Sequence, residues 1–248
     1  MSTQRTLLIT GAAGRLGGPL ARGLAKDGWR IALAHRNKDS AAETHALAKS
    51  LAIPCPILAA DLSSSAAAET LVASLEATWG RIDALVHAAG SYTRTPLLKQ
   101  SEAAWRKSFD DNLHSTFNIC RAVSTPMKRQ GFGRIITFGL AGAHHLSAQP
   151  HISAQTITKA GVLALTRTLA SILGPSGVTA NCIALGFIEG PTGGEAKDEA
   201  PASVLKGHIP AGRFGTPDDV LAAVRFLLRD NASYINGSEI VVSGGFGC

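Results

Sequence analysis

The sequence predicts a single α/β domain spanning residues 1–248, a doubly wound parallel sheet of seven strands with helices on both faces. Three observations predict it. Short apolar runs alternate with longer Ala-rich stretches from one end of the chain to the other, as repeated β-α-β units do. Runs such as ALVHA and RIITF are apolar almost throughout, as strands covered on both faces must be. The first run ends in a glycine-rich turn, TGAAGRLGG, that opens a helical stretch.

Taken in order, strands are expected near 6–10, 29–35, 56–60, 82–88, 132–138, 178–184 and 238–242. Helices are expected near 15–27, 39–51, 64–78, 101–126, 152–173 and 216–229. Ser63 and Ser64 offer start signals to the third helix, and Thr216-Pro217-Asp218 to the last, where proline is pre-set for the first turn. Right-handed crossovers then place helices on both faces. No repeat, low-complexity tract or linker interrupts the pattern. The segment 186–208 departs from it and is expected as a substrate loop or lid, because long loops at strand carboxyl ends usually carry function.

Composition narrows the functional classes. A hydrophobic fraction of 45% with 17% charged residues supplies a core and excludes a largely disordered chain. Twenty-four Lys and Arg against 18 Asp and Glu give a net charge of +6, but the basic residues are scattered singly. That pattern favours an anionic small ligand over nucleic acid. Cys55, Cys120, Cys182 and Cys248 lie far apart, with no C-x-x-C pair and no His at ligand spacing, so reduced thiols and no metal site are expected. The N-terminal apolar run is too short for a signal peptide, and Arg167 interrupts the most apolar stretch, 157–173. A cytoplasmic chain without a membrane partner is the expectation. Aromatic residues make up only 5%, and two of them, Tyr92 and Tyr234, are tyrosines.

In the turn after the first strand, Gly11 suits the tight turn and Gly17 a close approach of helix to sheet, while Gly14, Arg15 and Leu16 bring free N–H groups to a phosphate. Sheets that bind NAD place an acidic residue at the end of the second strand; here the strand ends Ala34-His35-Arg36-Asn37. Arg36 with Arg15 would form a cationic pocket for a 2′-phosphate, so NADP(H) is expected rather than NAD(H). Asp61, followed by Leu62, is placed either to reach the adenine or to cap the next helix.

These residues resemble the short-chain dehydrogenase/reductase family over nearly the whole chain. TGAAGRLG resembles that family's TGxxxGxG, with Arg15 replacing the middle glycine as in its pteridine reductases, and HRNKDSAAETHALA is similar to the stretch after their second strand. VHAAG resembles the NNAG segment with His87 and Ala88 replacing both asparagines, which adds Ala88, Ala89 and Gly90 to the cofactor site; His87 keeps a hydrogen-bonding group there. Asn112 in FDDNLHSTF, the strand GRIITFG, the helix TKAGVLALTRTLA with Lys159, NCIALG with Leu185 replacing proline, IPAGRFGTPDDV and GSEIVVSGG with Ser243 replacing Asp complete the likeness. The resemblance implies an NADP(H)-binding oxidoreductase, with Gly186 and Ile188 on the nicotinamide-side loop and tetramers built through long helices. It also implies that Asn112 and Lys159 are catalytic-site residues, Lys159 bonding the nicotinamide ribose.

The same resemblance implies an atypical active site. The family's tyrosine lies four residues before its lysine, where an ammonium lowers the phenol pKa; that position is Gln155, and the family's serine position falls on Leu140. An amide donates hydrogen bonds but gives up no proton near neutral pH. Hydride transfer remains open for a small carbonyl, imine or pterin-like substrate if water or a neighbouring group substitutes. Tyr92, just after the fourth strand, and His144, His145 and His151 are the candidate substitutes. The competing expectation is a catalytically silent homologue, a cofactor-binding sensor or the structural subunit of a complex with an active paralogue. The apolar 157–173 helix suits a homotetramer as well as a hetero-oligomer with a related subunit.

Overall fold

The computed structural model describes residues 4–145, 149–189 and 207–247. Its strands are β1 (Thr6–Thr10), β2 (Arg30–His35), β3 (Ile57–Ala59), β4 (Ala84–His87), β5 (Gly133–Leu140), β6 (Val178–Leu185) and β7 (Glu239–Val242). They form one sheet in the order β3-β2-β1-β4-β5-β6-β7, with every pairing parallel. The helices are α1 (Gly17–Lys26), α2 (Lys38–Ser50), α3 (Ser65–Trp79), α4 (Glu102–Phe109), α5 (Ser115–Gln130), α6 (Ser153–Leu173) and α7 (Pro217–Leu228).

The pleat of β1 shows why both faces are covered. Leu7 and Ile9 pack into a cluster with Leu20 and Leu24 of α1 and Val220 and Val224 of α7. Leu8 points the other way, into a cluster with Leu71 and Leu75 of α3, Ile119 and Val123 of α5 and Leu173 of α6. Burying each such side chain stabilises the fold by about 1.5–3 kcal/mol. Beneath the strands, fully buried Asp83 ties the start of β4 to β1 by accepting from the Thr6 backbone N–H at 2.8 Å and its hydroxyl at 3.0 Å. Arg81 neutralises the carboxylate.

Caps follow the sequence signals. Ser64 accepts from the Ala67 N–H at the start of α3, and Thr216 forms a reciprocal capping box with Asp219 at the start of α7. Two expected elements differ. Strand β5 runs on through Gly139 to Leu140. The single helix expected over 101–126 is α4, a π-helical turn over Asp110–His114, and α5, which passes through Pro126 to Gly131, a left-handed cap at φ 68°. Proline removes one helical hydrogen bond, but Pro126 lies on the buried face of α5, where packing outweighs that loss.

The segment Ser153–Ser176, which contains α6, is long and apolar enough to cross a membrane by length and composition, despite Arg167. Its Val162, Leu163, Ala170 and Leu173 are nevertheless buried, while Ile157 and Ile172 are exposed. Of the expected 186–208 loop, residues 190–206 lie outside the described residues, as do the His144 side chain and Cys248. Strand order reverses between β1 and β4, so the crevice at their carboxyl ends is where a ligand belongs in such a sheet.

Candidate active site

At the carboxyl end of β1 the chain turns at Gly11, φ 69°, so tightly that a Cβ there would lie 2.5 Å from the Ala89 amide nitrogen. A side chain at Gly17 would lie 2.3 Å from the Gly11 carbonyl oxygen. Both glycines therefore serve the close approach of loop, helix and sheet that the sequence suggests. Helix α1 begins without a side-chain cap, and exposed Arg15 has no acidic partner among the described residues. The helix end thus offers uncapped N–H groups and a free cation to an anion.

A cavity of about 270 Å³ opens beside this turn. Of the residues expected at a cofactor, Gly11, Gly14, His35, Arg36, Asn37, Leu62, Ala88, Ala89 and Gly90 line it. Arg15, Leu16 and Gly17 continue the adjoining loop, and Asp61 reaches the Arg36 Nε at 3.8 Å. Gly186 and Ile188 lie elsewhere, beyond β6, where Gly186 packs on Ser243 and Ile188 bridges to Gly215.

Three of these residues have partners within the chain. The Arg36 Nη1 lies 2.8 Å from Oδ1 of Asp111, whose other oxygen takes Lys107 at 2.8 Å. Asn37 caps α2, its side chain accepting from the Ser40 N–H at 3.2 Å. Asp61 does not cap α3. It accepts from the Ser63 N–H at 3.1 Å and hydroxyl at 2.9 Å, and these bonds with the charge of Arg36 outweigh partial burial to lower its pKa.

His87 ends β4 with 2% exposure. Its Nδ1 lies 2.7 Å from the Thr10 hydroxyl and its Nε2 3.4 Å from the Ser115 hydroxyl, which itself donates to the Asp111 carbonyl oxygen. These partners assign a neutral imidazole with its proton on Nε2. Burial, helped by the charge of Lys159, pushes its pKa down to about 3. His87 is thus a structural tie among β1, β4 and α5.

The residues expected at a catalytic site, Asn112 and Lys159, gather around Gly90. Both Nδ2 hydrogens of Asn112 are used, on the Ser91 carbonyl at 3.1 Å and the Ser108 carbonyl at 3.0 Å, which leaves the buried Oδ1 without a partner. That oxygen would lie 2.7 Å from a Cβ on Gly90, and the Lys159 Nζ 3.7 Å from the same point. The π-helical turn supplies this placement of Asn112, and such turns recur at functional sites. Lys159 donates to the Phe138 carbonyl oxygen at 3.0 Å, and burial pushes its ammonium down to about 8. Gln155, one turn earlier on α6, is buried with an unpartnered Oε1. Leu140 ends β5. Tyr92 is 44% exposed in the segment after β4, where Thr95 donates to the His151 carbonyl oxygen at 2.8 Å. Sequence reasoning missed Asp111, Ser91 and Ser115; the i,i+4 pair of Lys107 and Asp111 was the signal for the first.

The residues present fit a dinucleotide. An uncapped helix end adjoins a cavity lined by residues at the end of β2, and an unpartnered Asn112 oxygen and a buried ammonium lie close to Gly90, which lines the same cavity. Among the described residues no cluster of His, Cys, Asp or Glu suits a metal ion.

Comparison with known proteins agrees with this fold. A family model described as Enoyl-(Acyl carrier protein) reductase matches residues 11–247. The short-chain reductase protein NovJ of Streptomyces niveus is 32% identical over 253 residues, covering 99% of this chain and 95% of the relative. D-threitol dehydrogenase of Mycolicibacterium smegmatis is 33% identical over 245 residues, covering 98% and 93%. The crystal structure of a putative gluconate dehydrogenase from Agrobacterium tumefaciens superposes with a TM-score of 0.88 at 30% identity, covering 97% of this chain and 95% of that one. Fold, site and relatives together make this chain a member of the short-chain dehydrogenase/reductase family of oxidoreductases.

Proposed function

We propose that the protein is an NADP(H)-dependent oxidoreductase acting on a small carbonyl, imine or pterin-like substrate through an active site in which Gln155 and Leu140 stand at the usual acid and serine positions. The observation that carries this reading is the convergence of Asn112 and Lys159 on Gly90, which lines a cavity that Arg36 also lines. Bound NADPH supplies the hydride. Gly11, Gly14 and the N–H groups at the start of α1 hold its pyrophosphate, and Arg36 with Arg15 takes the 2′-phosphate. Lys159 holds the nicotinamide ribose, and the Asn112 oxygen orders a water beside it. Gln155 offers its amide to the substrate oxygen and orients it without transferring a proton. The proton comes from water or from Tyr92.

Exposed Ile157 and Ile172 on α6 support assembly through that helix, as a homotetramer or with a related subunit. Cys55, Cys120 and Cys182, all free thiols, support a cytoplasmic setting. Fluorescence titration tests the cofactor assignment. NADPH is expected to bind at sub-millimolar concentration, and the absence of binding would overturn the reading.

A further inference from the structure

We propose that Arg36 and Asp111 form a latch across the adenosine half of the dinucleotide site, which any nucleotide must open and which only a 2′-phosphate compensates. The inference rests on the dinucleotide reading above. Arg36 follows β2, and Asp111 lies on the π-helical turn between α4 and α5, beyond β4. Both line the same cavity, and their 2.8 Å contact joins the segment after β2 to the turn beyond β4.

The two partners are unequal. The Asp111 side chain is 4% exposed and keeps Lys107 on its second oxygen, so it stays neutralised when Arg36 leaves. The Arg36 side chain is 34% exposed, with Asp61 a weaker acceptor at 3.8 Å. Its guanidinium is always charged, so once off Asp111 it needs another anion. A 2′-phosphate provides one in bidentate geometry, whereas the hydroxyl of an unphosphorylated ribose does not. Asp111 therefore sets overall nucleotide affinity, and Arg36 sets the preference between the two nucleotides.

A double-mutant cycle separates this from a general field effect of the Asp111 charge. NADPH and NADH affinities are measured by fluorescence titration for the unaltered protein, Asp111→Asn, Arg36→Gln and the double variant, with thermal unfolding confirming that each folds. Asp111→Ser replaces Asp111→Asn if the latter does not fold. Removing Asp111 is expected to tighten both nucleotides in parallel by about fivefold, as loss of one partly exposed ion pair implies, with their ratio unchanged. In the Arg36→Gln background the same substitution is expected to change neither by more than about twofold, and Arg36→Gln alone reduces the preference for NADPH. Equal tightening in both backgrounds, or none where Arg36 is present, overturns the latch while leaving dinucleotide binding intact. If none of the proteins binds either nucleotide, the dinucleotide reading falls and the latch with it.

Discussion

Lys159 on α6 donates from Nζ to the carbonyl oxygen of Phe138 on β5 across 3.0 Å, fixing a buried ammonium one helical turn from Gln155. The ammonium titrates near 8, against an ordinary value of 10.5, because burial penalises its charge. Between those two values the unfolded chain holds a proton that the folded chain has lost, so this group makes stability rise with pH. Lys159→Met removes the effect. Urea unfolding at pH 7 and at pH 10 should show the unaltered protein gaining on the variant by on the order of 2 kcal/mol at the higher pH. A pH-independent gap would contradict it.

His87 carries the opposite consequence at the acid end. Its folded pKa near 3 lies below the ordinary 6.5, so as the pH falls through that window only the unfolded chain takes up the proton. The stability this neutral imidazole contributes is complete above 6.5 and is lost toward 3. Relative to His87→Gln, the protein should lose up to roughly 1.4 kcal/mol per pH unit between pH 6 and pH 4. Parallel curves for the two proteins would exclude this.

The active-site reading predicts latent chemistry. Gln155→Tyr combined with Leu140→Ser places a phenol one turn before Lys159, whose ammonium favours the phenolate, and a hydroxyl at the end of β5. Weak NADPH-dependent carbonyl reduction is expected, about 10²-fold above the unaltered protein, as a restored general acid typically gives. Complete inactivity across a broad carbonyl panel would count against the site being otherwise intact.

Asp83 predicts a stability effect with no change in the site. Asp83→Ala leaves the Thr6 N–H and the Arg81 guanidinium without their acceptor at the base of β1 and β4. The loss should be about 3 kcal/mol, read as a lower urea midpoint, with NADPH affinity unchanged.

Much of this architecture was legible because its signals are local. Apolar runs set the strands to within a few residues, Ser64 and Thr216 marked their helices, and Gly11 and Gly17 sit where a turn and a close approach require them. The break between α4 and α5 was not legible, since 101–126 reads as one continuous helical stretch. Arg36 and Asp111 were read separately or not at all, because their contact joins residues 75 positions apart in the sequence. Asn37, expected at a ligand, lines the cavity and also caps its own helix, a local role that its spacing to Ser40 carries.

The sequence by itself determined the alternation of strands and helices, the glycine turn at the end of β1 and the amide at the position preceding Lys159 by four. These depend on side-chain period, on backbone freedom and on identity, all written locally. Only the tertiary structure decided which charges meet. Strand order brings β2, β4 and the π-helical turn to one crevice, and burial there neutralises His87, lowers the Lys159 ammonium and lets Asp111 hold Arg36. Desolvation and pairing depend on distance in space, which no spacing along the chain encodes.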